Sequence, residues 1–106
     1  MPLEYRDERH IFRVDGDVLE TFLTGVSEQR ILLPFLSVQV FPIGRNTLAL
    51  TIGSAPLGTP LYEALPKAKV IKGRSSYSQV NFSPEQEPAL RQFFTQVALL
   101  CDRPVP

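Results

Sequence analysis

The sequence predicts a mostly β domain of the α+β class, in which antiparallel strands precede one amphipathic helix. Segments whose apolar residues recur with a period of two run as far as Phe82, which is typical of half-buried strands. The segment from Ser83 to Cys101 has helical spacing instead. Its apolar residues share one helical face: Leu90, Phe93, Phe94, Val97 and Cys101. We therefore expect a barrel or two packed sheets of about six to seven strands, capped by this helix.

The N-terminal part of the chain predicts a β-hairpin. Residues Arg9 to Val14 alternate between two faces and give the first strand. Asp15-Gly16 is a favoured hairpin turn, because glycine tolerates a positive φ. Val18 to Leu23 then forms the return strand, and Thr24-Gly25 ends it.

The middle of the chain predicts two or three further strands. Gln29 to Phe41 is rich in β-forming residues, but Pro34 interrupts it and cannot donate a ladder hydrogen bond, so we expect a bend, a bulge or an edge position there. Pro42 to Asn46 reads as a turn. Thr47 to Ile52 alternates cleanly, with Leu48, Leu50 and Ile52 facing the core.

A long loop and the last strand follow. Gly53 to Pro66 contains two glycines and three prolines and predicts a loop, with a short helical turn near Leu61 to Leu65. Ala68 to Lys72 fits a further short strand. Tyr77 to Phe82 predicts the last strand.

The start of the helix has two possible positions. Ser83-Pro84-Glu85-Gln86 has the pattern of a capping box, with proline at the first helical position. Pro88 would disturb a helix that began at Pro84, because it lacks an N–H group. The regular helix therefore begins either at Pro84, or at Pro88 after a separate turn.

Composition excludes several classes of protein. The 106 residues predict a single domain spanning residues 1–106, with an ordinary apolar fraction of 43%. Eleven basic and eleven acidic residues cancel, so no overall charge draws the chain to nucleic acid or anionic lipid. The charged N-terminus is unlike a signal peptide, and no apolar run reaches the length of a transmembrane helix. We expect a cytoplasmic protein.

The residues that carry catalysis are sparse, so we expect no enzyme, no cofactor and no metal site. The chain has one histidine, His10, and one cysteine, Cys101. A zinc site needs more ligands than these two, and Cys101 falls on the apolar helix face. Asp15 and Asp17 flank a turn glycine, and turn chemistry explains both.

One basic cluster is a candidate anion-binding site. Four cations lie within eight residues without an intervening acid: Lys67, Lys69, Lys72 and Arg74. Such a cluster binds phosphate groups if its members converge. The alternative is a solvated edge strand whose lysines prevent aggregation. Any membrane contact made by this cluster would be peripheral.

A nearly continuous apolar run is a candidate protein interface. Ile31, Leu33 and Phe35 lie in this run, which lacks the alternation of a strand buried on one face. Burial on both faces requires a second layer, supplied either by the Gly53 to Pro66 loop or by another protein. We expect a protein partner or self-association at this surface.

The order of elements resembles a bacterial pleckstrin-homology-like (PH-like) domain. The resemblance rests on the Asp15-Gly16 hairpin, the Thr47 to Ile52 strand, and the Tyr77 to Phe82 strand that leads into the C-terminal helix. It implies a small antiparallel barrel closed by that helix, and an interaction or scaffold module without catalytic activity. The acidic turn Asp15-Gly16-Asp17 stands where such domains place the basic loop that binds inositol phosphates.

The functional prediction is therefore a non-enzymatic interaction module. Two alternatives stay open: an anion-binding module that uses the basic cluster, and a small-ligand-binding protein with a cavity between sheet and helix.

Overall fold

The computed structural model describes residues 3–23 and 27–103. It confirms a mostly β fold with two sheets and one C-terminal helix. Eight strands are present in the described residues, where the sequence predicted six or seven. The two sheets of this part of the chain keep separate strand orders and do not close into a barrel.

Sheet A is an antiparallel meander of the first four strands. They are β1 (Glu4–Arg6), β2 (His10–Asp15), β3 (Val18–Leu23) and β4 (Ser27–Leu32). The predicted hairpin is confirmed, and Gly16 has the positive φ of 64° that the turn requires. The predicted end of the return strand, at Thr24-Gly25, lies outside the described residues. Strand β1 was not predicted, since three residues are too few to show a period.

A ladder of alternating charges crosses the outer face of sheet A. Glu4, Arg13, Glu20 and Arg30 are successive register partners on the four strands. The Glu20 carboxylate accepts hydrogen bonds from Arg13 and Arg30, both at 3.2 Å. The bond from Arg30 and then that from Arg13 lower the pKa of Glu20. Opposite charges directly across a sheet stabilise the pairing of its strands.

Sheet B has the order β7-β5-β6-β8. Its strands are β5 (Leu36–Pro42), β6 (Leu48–Ser54), β7 (Tyr62–Ala64) and β8 (Ser75–Phe82). Pro34 lies in a 3₁₀ turn, Leu33–Phe35, which separates β4 from β5 and confirms the predicted interruption. The side chains of Leu50 and Ile52 face the core as predicted.

Two predictions between β6 and β8 are wrong. Residues Leu61 to Leu65 hold no helical turn, because Tyr62–Ala64 extends along β5 as a parallel strand. Ala68 to Lys72 is not a strand, and residues 65–74 cross from β7 to β8 as turns and irregular chain. Three-residue strands are set by tertiary pairing, which local sequence does not encode.

The helix α1 (Glu87–Leu100) follows a 3₁₀ turn at Pro84–Gln86. Ser83 and Gln86 form the predicted capping box. The second of the two predicted starts is therefore confirmed to within one residue. The buried face carries the predicted stripe, Leu90, Phe93, Phe94 and Val97, together with Ala98.

Helix α1 closes one side of the space between the sheets. It packs against β1 and β7, which are edge strands of sheet A and sheet B. Tyr62 of β7 stacks on Phe94, with ring centroids 5.5 Å apart, and Tyr5 of β1 lies 6.3 Å from Phe93. The other two edge strands, β4 and β8, are left on the side that the helix does not cover.

Candidate functional site

The edges of the two sheets that α1 leaves uncovered border an open groove of about 450 Å³. We call it the β4–β8 groove. It is lined by residues of both strands: Gln29, Arg30, Ile31, Ser76 and Tyr77. Within the described residues, β4 pairs only with β3 and β8 only with β6. Each strand therefore presents one unpaired backbone edge beside the groove.

The side chain of Gln29 bridges the groove. Its Nε2 donates a hydrogen bond to the backbone carbonyl of Tyr77 at 3.1 Å. Hydrogen-bonded strands lie about 4.8 Å apart. Here a side chain makes the hydrogen bond between β4 and β8, and the two backbones are not paired in the described residues. Gln29 Oε1 is buried and has no hydrogen-bond partner within the described residues. An unmet buried acceptor costs stability, and an arriving N–H group would satisfy it.

Strand β8 has an edge that favours pairing. Its sequence, Ser-Ser-Tyr-Ser-Gln-Val-Asn-Phe, contains no charged residue and no proline over eight residues. Proteins usually protect an exposed edge strand with such residues, since a bare edge pairs with other chains. Sheet A differs at its edge, because Arg30 of β4 belongs to the charge ladder.

A β-bulge places Tyr77 at the mouth of the groove. The register between β6 and β8 shifts at Ile52 and Gly53, where Tyr77 is the extra residue. Gly53 is required here, because a Cβ at this position would lie 1.8 Å from the Ser75 carbonyl oxygen. The Tyr77 hydroxyl is held at 2.7 Å from Ser54 Oγ, and the side chain is 52% exposed. Exposed tyrosines of fixed orientation are frequent anchors for protein partners.

The members of the basic cluster have different surroundings in the structure. Lys67, Lys69 and Lys72 are exposed, and Lys69 Nζ lies 4.0 Å from Glu63. Arg74 turns onto the outer face of sheet B. There it donates to Ser37 and Thr51, with 2.9 Å to each hydroxyl, and also to Ser76. Partial burial lowers the pKa of Arg74. The Arg74 guanidinium thus serves the fold, and anion binding by the cluster stays a prediction.

The three predicted interface residues do not lie on one surface, because two of them face the core and one faces outward. Ile31 and Leu33 are core side chains, 5% and 2% exposed, so neither offers a side-chain surface of useful size to a partner. Phe35 is 43% exposed, and Leu32 points outward with it. The apolar run therefore alternates after all, with its outward members exposed. Self-association through Phe35 stays a prediction.

Asp7 is the centre of a hydrogen-bonding cluster that sequence reasoning missed. Its carboxylate accepts the backbone N–H groups of Arg9 and His10, both at 2.8 Å, the Tyr5 hydroxyl at 2.9 Å and Gln86 Nε2 at 3.0 Å. His10 Nδ1 lies 3.0 Å from the same carboxylate. Partial burial alone would raise the pKa of Asp7, but the hydrogen bonds outweigh it and lower that pKa.

The histidine belongs to this cluster rather than to an exposed surface. The His10 ring is buried and lies 4.6 Å from the ring of Phe82. A polar pocket of about 450 Å³ opens beside it, bordered by Asn81, Ser83 and Gln86. Because Gln86 belongs to the capping box, the cluster ties the β1–β2 turn to the start of α1.

Cys101 lies at the end of α1 and is half-buried. Burial raises the pKa of its thiol, which makes it a weak nucleophile. The neighbouring Arg103 donates to the carbonyl groups of Leu33 and Leu36, at 2.8 and 2.7 Å, and to that of Thr59. The bonds to Leu33 and Leu36 connect the end of the described residues to the 3₁₀ turn between β4 and β5.

Comparisons of the chain with protein-family models, with curated proteins and with solved structures gave no match. No helix in the described ranges is long and apolar enough to cross a membrane. Residues 3–23 and 27–103 contain no group of three or more His, Cys, Asp or Glu side chains able to hold a metal ion. Function therefore has to be inferred from the geometry of the chain itself.

Sequence reasoning did not find the β4–β8 groove. The uncharged run from Ser75 to Phe82 was a usable signal, because it lacks the residues that protect an edge. Nothing in the sequence identifies Gln29 as the side chain that spans the two sheets.

Proposed function

We propose that this protein is a non-enzymatic interaction module that binds an extended polypeptide segment in the β4–β8 groove. The segment adds as a strand beside β8 and fills the space between the two sheets. The observation that carries this proposal is the Gln29 bridge, because a side chain stands where a paired strand would run.

Backbone chemistry supports an extended segment as the occupant. Strand addition uses the unpaired N–H and C=O groups of an edge strand, and side-chain pockets supply selectivity. The groove provides both, with the β8 edge on one side and the exposed Tyr77 at its mouth. The edge strand of a partner's folded sheet is a poorer fit than an isolated segment. Strand β4 borders the groove on its other side, so a strand that is already packed in a sheet would enter less easily.

The interaction role was also what the PH-like resemblance implied. The described residues run through four meandering strands, then β5, β6, the short parallel β7 and β8, and then a helix. The PH-like resemblance stays a prediction, and the barrel that it implied is not closed. Fold analogy is a weak warrant for function, so the proposal rests on the groove.

Binding of library peptides tests the proposal. Random peptides of about twelve residues are displayed on phage, selected against the full chain, and the enriched sequences are synthesised. Titration by fluorescence anisotropy then compares the wild type with Tyr77→Ala and Leu57→Ala. We expect Tyr77→Ala to weaken binding at least about tenfold, because Tyr77 is the aromatic side chain at the groove mouth.

Leu57→Ala is the matched control. Leu57 is 72% exposed and does not line the groove, so its removal is expected to leave the affinity within about threefold. A library that yields no binder, or binders that respond equally to both substitutions, would contradict the proposal.

A further inference from the structure

We infer that a second pocket, at the C-terminal end of α1, binds a free α-amino acid with an aliphatic side chain. Three segments line this α1-end pocket: the 3₁₀ turn at Pro34, the loop from Leu57 to Thr59, and the residues Cys101 to Arg103 that follow α1. No residue of the β4–β8 groove lines it, so the inference goes beyond the proposed function and does not depend on it.

The size and the apolar walls of the α1-end pocket suit a small ligand. Its open volume is about 270 Å³. Ligand pockets usually begin at about 300 Å³, so the α1-end pocket fits a ligand of few atoms. Pro34 and Leu57 line the pocket, and the Leu57 side chain is largely exposed. An aliphatic group placed against Leu57 would therefore remove apolar surface from water on both partners.

Two opposite charges line the α1-end pocket without pairing with each other. Asp102 and Arg103 are neighbours in the sequence, yet neither side chain forms an ion pair within residues 3–23 and 27–103. A cation and an anion that stay apart in one pocket match a ligand that itself carries both charges. An α-amino acid is such a ligand, because its ammonium and its carboxylate are attached to the same carbon atom.

The Arg103 guanidinium keeps donors for the carboxylate of the ligand. Nη1 donates to the carbonyl groups of Leu33 and Leu36, and Nη2 donates to that of Thr59. These bonds use three of the five N–H groups of a guanidinium. Nε has no acceptor in the described part of the chain and is not buried. One N–H group on Nε and one on Nη2 therefore remain, and arginine often binds a carboxylate through two N–H groups.

The ammonium group of the ligand has two sources of negative charge in this pocket. The first is the exposed carboxylate of Asp102. The second is the end of α1 at Leu100, because the last carbonyl groups of a helix carry a partial negative charge that favours cations. A carboxylic acid without an amino group would meet the same negative charge unfavourably. The α1-end pocket therefore favours amino acids over simple carboxylates.

Titration of the full chain with free leucine, followed by NMR, tests the inference. We expect leucine to shift the amide resonances of the residues that line the α1-end pocket. Three further probes each lack one feature of leucine: isocaproate lacks the ammonium group, isoamylamine lacks the carboxylate, and glycine lacks the aliphatic side chain. We expect leucine to bind at least about tenfold more tightly than each of them, because each leaves one charge or the apolar wall without a partner.

Asp102→Asn removes one of the two charges and keeps the backbone, because Asp102 has a positive φ of 58° that asparagine tolerates. We expect it to weaken leucine binding at least about tenfold. Asp15→Asn is the matched control, since Asp15 is exposed and does not line the pocket, and its affinity is expected to stay within about threefold of the wild type. Leu57→Ala is expected to weaken leucine binding and to leave peptide binding in the β4–β8 groove unchanged.

The inference is overturned if leucine causes no shifts at the pocket, or if isocaproate, isoamylamine or glycine binds as tightly as leucine. Equal affinities of Asp102→Asn and Asp15→Asn for leucine would overturn it as well. None of these results changes the dependence of peptide binding on Tyr77, so the inference and the proposed function fail separately.

Discussion

Gly53 allows the β8 backbone to approach β6 closely at the bulge beside Tyr77. Its φ is not among the positive values of the chain, so the requirement is space and not backbone conformation. Gly53→Ala would place a methyl group 1.8 Å from the Ser75 carbonyl oxygen. We expect this variant to lose about 1–3 kcal/mol of unfolding free energy, as overpacked sites do, measured by urea denaturation.

Gly16→Asn is the control for this substitution. Gly16 has a positive φ of 64°, which asparagine tolerates, and an added Cβ there would meet no atom within 4 Å. We expect a change below about 1 kcal/mol. A loss in Gly53→Ala as small as the one expected for Gly16→Asn would show that β8 can shift at little cost, against the close approach described here.

Asp7 should make stability depend on pH. Because its pKa is lowered in the folded chain, its stabilisation is fully present above the ordinary value of about 3.9 and is lost as the pH falls through the folded value. Asp7→Asn replaces one carboxylate oxygen by an NH₂ group, which cannot accept the hydrogen bonds that the carboxylate accepts. We expect it to cost about 1–2 kcal/mol near pH 7 and less near pH 3, by urea denaturation at both. If the difference in unfolding free energy between the wild type and Asp7→Asn is as large near pH 3 as near pH 7, the carboxylate does not have this role.

At the scale of elements, α1 stabilises the fold through one face only. Leu90 is 0% exposed and Leu99 is 64% exposed, although both are leucines of the same helix. Leu90→Ala is expected to cost about 2–5 kcal/mol, the usual range for a buried leucine. Leu99→Ala, the matched control, is expected to stay within about 0.5 kcal/mol. Thermal and urea unfolding measure both, and similar losses would mean that α1 is not packed as described.

The elements differ in how far sequence determines them. The β2–β3 hairpin and α1 could be predicted, because the period of their apolar residues and their turn residues agree with the tertiary fold. Strand β7 could not, since Tyr62 is extended through its pairing with β5 and not through a local preference. The prediction for Ala68 to Lys72 failed in the opposite direction, because a strand-like pattern there is not matched by pairing with any strand of the described residues.

At the scale of the whole molecule, the site arises from an asymmetry in how the sheets are closed. Helix α1 packs on β1 and β7, and β4 and β8 keep open edges on the remaining side. Sequence predicted the closing helix but not the side it would leave open, because that depends on which edges the short strands β1 and β7 occupy. The candidate site was therefore visible only once the sheet order was known.

Amide hydrogen exchange along β8 measures the central proposal most directly. The exchange rates of the full chain are compared by NMR with and without a peptide selected from the library. Strand addition predicts slower exchange in β8 and β4 on binding, with the amides of α1 unchanged, because only the two open edges gain hydrogen-bond partners. Protection that appears at α1 or around Phe35, with β8 unchanged, would contradict the account.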